Sequence, residues 1–259
     1  MINWIEWFKL IPYAGGIFIL IMVAEFLHVK SIANISFTRK LVHFGVGILT
    51  FFTPFVFKEL APLIFISFAF ILVNALTLYL KTFKGMDARR KTYGTILFPL
   101  SFFILLFFTW EENRYLIAYG IALMTFADGL ASLVGERVRN PLIYIPAFDK
   151  KSLLGSLASF VTGSAITFVF LYFHWLGMPV DSINSVIEII SIVLIMGVIT
   201  VFLENLSLYG SDNITLPLLG CLFFYQFLNK DPAILIITYA VLLLLIWVSL
   251  LSIRKKWLT

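Results

Sequence analysis

Apolar runs of roughly membrane-spanning length follow one another along almost the whole chain, separated by short polar breaks. A helix needs about 20 apolar residues to cross the hydrocarbon core of a bilayer. Nine runs reach or approach that length: residues 11–29, 41–57, 60–80, 95–110, 115–134, 153–173, 185–208, 214–228 and 232–253. The pattern predicts an all-α, polytopic helical membrane bundle. The first run has no basic stretch before it and no small-residue cleavage site after it, so it reads as a retained helix rather than a signal peptide.

Composition agrees. Of 259 residues, 61% are hydrophobic and 13% charged, against about 25% charged in a soluble domain. Cys221 is the single cysteine and falls in the eighth run, which excludes an internal disulfide and a cysteine-built zinc site. The net charge of +5 does not point to nucleic acid, because bases on membrane loops set orientation and attract anionic headgroups or phosphates. With the N-terminus outside, 15 of the 19 lysines and arginines fall on the inner loops, leaving Lys9, Lys58, Arg114 and Lys230 outside. That asymmetry predicts an outer N-terminus and a cytosolic C-terminus.

Against this background the intramembrane acid Asp128 stands out. A carboxylate in hydrocarbon costs on the order of 3 kcal/mol and persists mainly where function requires it. Four further groupings lie toward the inner face. In TRKLVHFGVG (38–47), Arg39, His43 and Gly47 share one helical face; Arg39 can grip a phosphate in a bidentate manner, and Arg39 and Lys40 also suit an interfacial anchor. KTFKGMDARRKTYG (81–94) is basic and broken by glycine. In FDKKSLLGSLASF (148–160), Lys150 and Lys151 precede Ser152, a candidate helix cap whose first turn favours anions, and Gly155 permits close approach. LENLSLYGSDNITLP (203–217) has no basic residue but holds Glu204 and Asp212, with Asn213 following. Carboxylates there suit Mg²⁺, which is usually held by one or two carboxylates together with substrate phosphates. No Walker-type phosphate loop, HExxH or GxGxxG after a strand is present.

Taken in order, RKLVH (39–43), YGTILFPLS (93–101), ADGLASLVGER (127–137), KKSLLGSLA (150–158) and ENLSLYGSDNITLP (204–217) resemble the CTP-dependent lipid alcohol kinases: dolichol, phytol and farnesol kinases and the CTP-dependent diacylglycerol kinase, of a superfamily often labelled phosphatidate cytidylyltransferase. The family often shows Asp-Asp-Asn where this chain has Ser211-Asp212-Asn213.

The resemblance implies a single transmembrane kinase domain over 1–259, with the first helix (11–29) peripheral to a catalytic core at 39–217. It implies Mg²⁺-dependent transfer of the CTP γ-phosphate to a lipid alcohol at the cytosolic face. Asp128, Glu204 and His43 would be catalytic, with either Asp128 or His43 as the base. Asp128, Glu204 and Asp212 would hold the metal; Arg39, Lys40, Lys150, Lys151, Ser152, Gly155 and Asn213 would hold the nucleotide.

Cytidylyl transfer to phosphatidate is the alternative reaction, and a transporter is the alternative class, since intramembrane charges also mark ion paths. The expected partners are CTP, the lipid alcohol and the bilayer, with self-association left open. The membrane would be the plasma membrane of a prokaryote, or the endoplasmic reticulum or plastid membrane of a eukaryote.

Overall fold

Hydrocarbon offers no partner for a free backbone N–H or C=O, so each apolar run satisfies its hydrogen bonds within a helix. A computed structural model of the chain describes residues 3–80, 93–138, 143–144, 151–172, 186–207 and 209–229. Helix α1 (Trp4–Phe8) leads into α2 (Leu10–Val29), and α3 (Ile35–Phe51) into α4 (Thr53–Val56). Next come α5 (Leu60–Leu80) and α6 (Gly94–Asn113). One continuous span then joins α7 (Tyr115–Ala122), a π-helical segment (Leu123–Asp128) and α8 (Gly129–Arg137). The two-residue strands β1 (Ile143–Tyr144) and β2 (Lys151–Ser152) pair antiparallel, Ile143 opposite Ser152. Helices α9 (Leu153–Tyr172), α10 (Val186–Asn205) and α11 (Asp212–Asn229) complete the described chain.

Among the described residues, seven spans are long and apolar enough to cross a membrane, and they coincide with the first seven runs of the sequence. The eighth run forms α11, whose polar ends keep its hydropathy lower. The ninth run, 232–253, lies outside the described residues.

Two of the boundaries that differ from expectation move because polar residues are drawn into helices. Helix α3 begins at Ile35 rather than 41, since the Asn34 side chain caps it by accepting the Phe37 N–H at 2.9 Å. Arg39 and Lys40 are therefore helical. Helix α11 begins at Asp212 and has 18 residues, about 27 Å at 1.5 Å per residue, rather than the shorter run ending in a loop.

The span Tyr115–Arg137 is the axis of the bundle. Two-thirds of it is buried (67%), against 17–33% of the other six. Tyr119 stacks on Phe224 at 4.1 Å between ring centroids, and its hydroxyl meets Thr167 Oγ1 at 2.9 Å. Small residues allow this close packing: an added Cβ at Gly120 would lie 2.7 Å from the Pro217 carbonyl, and one at Gly163 would lie 2.6 Å from Thr200 Oγ1. Side chains such as Phe18, Phe107 and Phe108 are exposed on the outside, as a lipid-facing surface requires.

Contacts sort the helix ends into two sets. At one end, Ser36 and Lys40 both reach Glu136 Oε2 (2.7 and 2.5 Å), the Tyr93 N–H donates to the Tyr209 carbonyl (2.8 Å), and Lys151 pairs with Glu204. At the other end, Lys9 binds Glu6 (2.5 Å) and the Val56 carbonyl, while the Lys58 N–H donates to Glu6 (2.8 Å). Glu6 is thus a fully partnered buried acid with a clamping role.

Gly47 faces the π segment so tightly that a Cβ would sit 2.1 Å from Thr125 Oγ1. Gly47→Ala is expected to cost about 1–3 kcal/mol through overpacking. Thr125→Ala in the same chain should recover part of it, as judged by thermal unfolding in detergent; Thr125 Oγ1 has no hydrogen-bond partner to lose.

Candidate active site

The polar residues singled out from the sequence gather at the end of the bundle that carries Glu136, Tyr93 and Lys151. Asp128 is the last residue of the π segment. Each π-type insertion adds one residue to the turn and so rotates the downstream residues by about 100° relative to a regular α-helix. His43, one helical turn beyond Arg39 on α3, donates its Nε2–H to the Met124 carbonyl inside this segment (3.2 Å) and lies 3.8 Å from Asp128 Oδ2. Since a carbonyl only accepts, the other ring nitrogen, Nδ1, is the one free of a proton in the neutral ring. Lys151 pairs with Glu204, Ser207 links the Glu204 carbonyl to Asp212, and the charges of Asp212, Glu204, Lys151 and Arg39 all bear on Asp128. Residues from α3, the central span, β2, α10 and α11 therefore share one electrostatic neighbourhood.

Glu204, in the last turn of α10, is buried; its Oε1 pairs with Lys151 Nζ, and its Oε2 is buried with no hydrogen-bond partner among the described residues. Burial opposes the charge on the Lys151 ammonium, but the carboxylates of Glu204, Asp212 and Asp128 outweigh it and hold its pKa above the ordinary lysine value. Asp212 opens α11. Its Oδ1 accepts from the backbone and side-chain amides of Asn213 (3.0 and 3.2 Å), and Ser207 shares its hydroxyl between Asp212 Oδ2 and the Glu204 carbonyl.

The turn between α10 and α11 runs through positive φ at Tyr209 (50°) and Gly210 (88°), a conformation glycine adopts without penalty. It presents the Gly210 carbonyl to Asn213 Nδ2 (3.2 Å) and the Tyr209 carbonyl to Tyr93. Gly94 is glycine because a Cβ there would lie 2.7 Å from Asn213 Nδ2.

Other expected site residues take structural places. Ser152 Oγ accepts the Gly155 N–H (3.0 Å), the cap expected at the start of α9, and Gly155 makes room for the Ala131 carbonyl, which a Cβ would approach to 2.9 Å. Lys40 is bound to Glu136. Lys150 and residues 81–92 of the basic segment lie outside the described residues. Ser207, the Tyr209–Gly210 turn and the π segment were not singled out from the sequence; only the glycine at 210 gave a signal.

Among the described residues, no three of His, Cys, Asp and Glu are grouped closely enough to form a complete metal cage. Mg²⁺ does not need one, since it takes one or two carboxylates and completes its shell with water and phosphate oxygens. Glu204 Oε2, which has no hydrogen-bond partner among the described residues, and the Asp212 carboxylate linked to the Glu204 carbonyl through Ser207, fit that mode of binding, with Asp128 in the same electrostatic neighbourhood.

Beside the acid group lies a cavity of about 170 Å³. Arg39, His43, Gly94 and Asn213 form its polar end, and α2, α3, α5 and α6 supply its apolar walls.

No family model matches the chain, and no solved structure matches it. The chain is similar to the phytol kinase of the cyanobacterium Synechocystis, at 27% identity over 80% of this chain and 84% of that protein. It is also similar to the chloroplastic phytol kinase 1 of Arabidopsis thaliana, at 24% identity over 79% of this chain and 70% of that protein. The resemblance to lipid alcohol kinases carried by the ordered motifs is thus met by two phytol kinases aligned along about four-fifths of the chain.

Proposed function

We propose that this protein is a lipid alcohol kinase that transfers the γ-phosphate of CTP to the hydroxyl of an isoprenoid alcohol of the phytol type, with Mg²⁺, at the cytosolic face. The observation that carries the reading is the meeting of Asp128, Asp212, Glu204 and Lys151 next to a largely apolar cavity. One half of that arrangement suits a metal-bound polyphosphate and the other a hydrocarbon chain. The phytol kinases among its relatives support the acceptor. The motif resemblance supports CTP, and the concentration of lysine and arginine on one set of loops supports a cytosolic site.

Phosphoryl transfer is mainly positioning and neutralisation of charge. The acceptor oxygen bonds to the γ-phosphorus, the bond from that phosphorus to the β–γ bridging oxygen breaks, and CDP leaves. His43 lines the cavity and Asp128 does not, which supports His43 as the group that would take the hydroxyl proton and Asp128 as one that would hold the metal. Asp128, Glu204 and Asp212 would hold Mg²⁺, which would supply neutralisation of phosphate charge. Lys151 and Arg39 add positive charge along the phosphates.

The reading is tested with the purified protein, γ-labelled CTP, Mg²⁺ and a panel of lipid alcohols. Label is expected in a lipid phosphate, with CDP released in equal amount. Release of pyrophosphate with formation of a CDP-lipid from phosphatidate would overturn the kinase in favour of cytidylyl transfer.

A further inference from the structure

The shape of the cavity beside the acid group bears on the choice of acceptor. Along α6 its lining runs from Gly94 to Phe102, and along α2 from Ile21 to Tyr13. Each stretch spans eight residue-to-residue steps, about 12 Å of helix. On α2 the lining residues Tyr13, Ile17 and Ile21 are four apart and form one face, so the first span is a wall of this cavity. Away from the active-site end the polar groups are already satisfied: the Tyr13 hydroxyl lies 3.0 Å from Thr50 Oγ1, and Ser67 donates to the Ile64 carbonyl of its own helix (3.0 Å). Neither offers an open partner to a polar ligand. The polar end is the active-site end, with Arg39, His43 and Asn213.

An apolar cavity of about 150 Å³ accommodates a molecule of benzene size. A cavity of about 170 Å³ is therefore far too small for a whole long-chain alcohol and large enough for its first branched units. Resting on the kinase reading above, we propose that this cavity seats the hydroxyl-proximal isoprenoid segment of the acceptor. The rest of the chain lies outside it in lipid. Recognition is then of branching near the hydroxyl and not of total chain length.

Two consequences separate this from a site where the whole tail lies in the bilayer. The wild-type protein should prefer a methyl-branched prenol over a straight-chain alcohol of the same carbon number, and short and long prenols should show similar KM. Filling the cavity with Ile17→Phe or Ile21→Phe should raise KM for prenols by at least about 10-fold, with KM for CTP unchanged. Should neither filling variant fold, Ile17→Ala, which widens the cavity, should reduce the branched-over-straight preference by a similar factor.

The experiment measures phosphorylation of both alcohol types from labelled CTP, in detergent, for wild type and these variants. Equal KM for branched and straight acceptors, or an unchanged preference in every folded variant, overturns the assignment while leaving the kinase reading in place. Failure of the wild type to label any alcohol overturns the kinase reading itself.

Discussion

Asp128→Asn is expected to reduce phosphoryl transfer to a lipid alcohol by about 10³-fold, or ~4 kcal/mol of barrier, while leaving the protein folded. The substitution keeps the size and shape of the side chain and removes the charge. In the folded protein Asp128 lies in the electrostatic neighbourhood of two other carboxylates, Asp212 and Glu204, and its side chain is partly exposed (19%). A neutral amide of the same shape adds no charge to that acidic group, so thermal stability in detergent should hold or rise. The same change removes a carboxylate from the group that fits Mg²⁺. Loss of activity combined with retained or increased stability is the signature of a residue kept for chemistry at a cost to the fold. Wild-type transfer rates in Asp128→Asn would remove this residue from the mechanism, and with it the metal site drawn around it.

The value of Asp128 was legible because charge within an apolar run is rare and expensive. The same reasoning pointed to Glu204 and Asp212, in a stretch read as an inner loop with no compensating base, and in the structure Ser207 links the two while both bear on Asp128. Periodicity placed Arg39, His43 and Gly47 on one face of α3, and that face does meet the central span. Other parts were not legible for physical reasons. A π segment leaves no mark in hydropathy, so the turn of Asp128 toward His43 could not be read from spacing. Lys40 resembled Arg39 as an inner-face base, but one residue along a helix is about 100° of rotation, and that carries Lys40 to Glu136. The cavity, too, is made by four helices distant in sequence, and no single helix reveals which of its apolar faces leaves space.

The second large effect is expected at Lys151, and it concerns stability as much as activity. Lys151 is mostly buried (16% exposed) and Glu204 almost wholly so (5%). Breaking a buried ion pair by removing one partner typically costs about 3–5 kcal/mol, because the other charge is left stranded, whereas replacing both by apolar groups of similar volume is often neutral. Lys151→Met should fall in that range, since it leaves Glu204 with neither oxygen paired, beside Asp212 and Asp128. Adding Glu204→Met should restore most of the lost stability. Activity should not return, because the double variant lacks both the cation proposed to meet the phosphates and a carboxylate of the acid group. The pH dependence is set by the sign of the lysine shift. Its folded-state pKa lies above the unfolded one, so its contribution is complete at neutral pH and fades only as pH rises through the raised value. Thermal unfolding in detergent and labelled-CTP assays on the two variants check both halves. Full stability in Lys151→Met would show that the pair is not a buried constraint. Recovery of transfer in the double variant would show that neither residue meets the nucleotide, and the phosphate site would then have to lie elsewhere on the basic face.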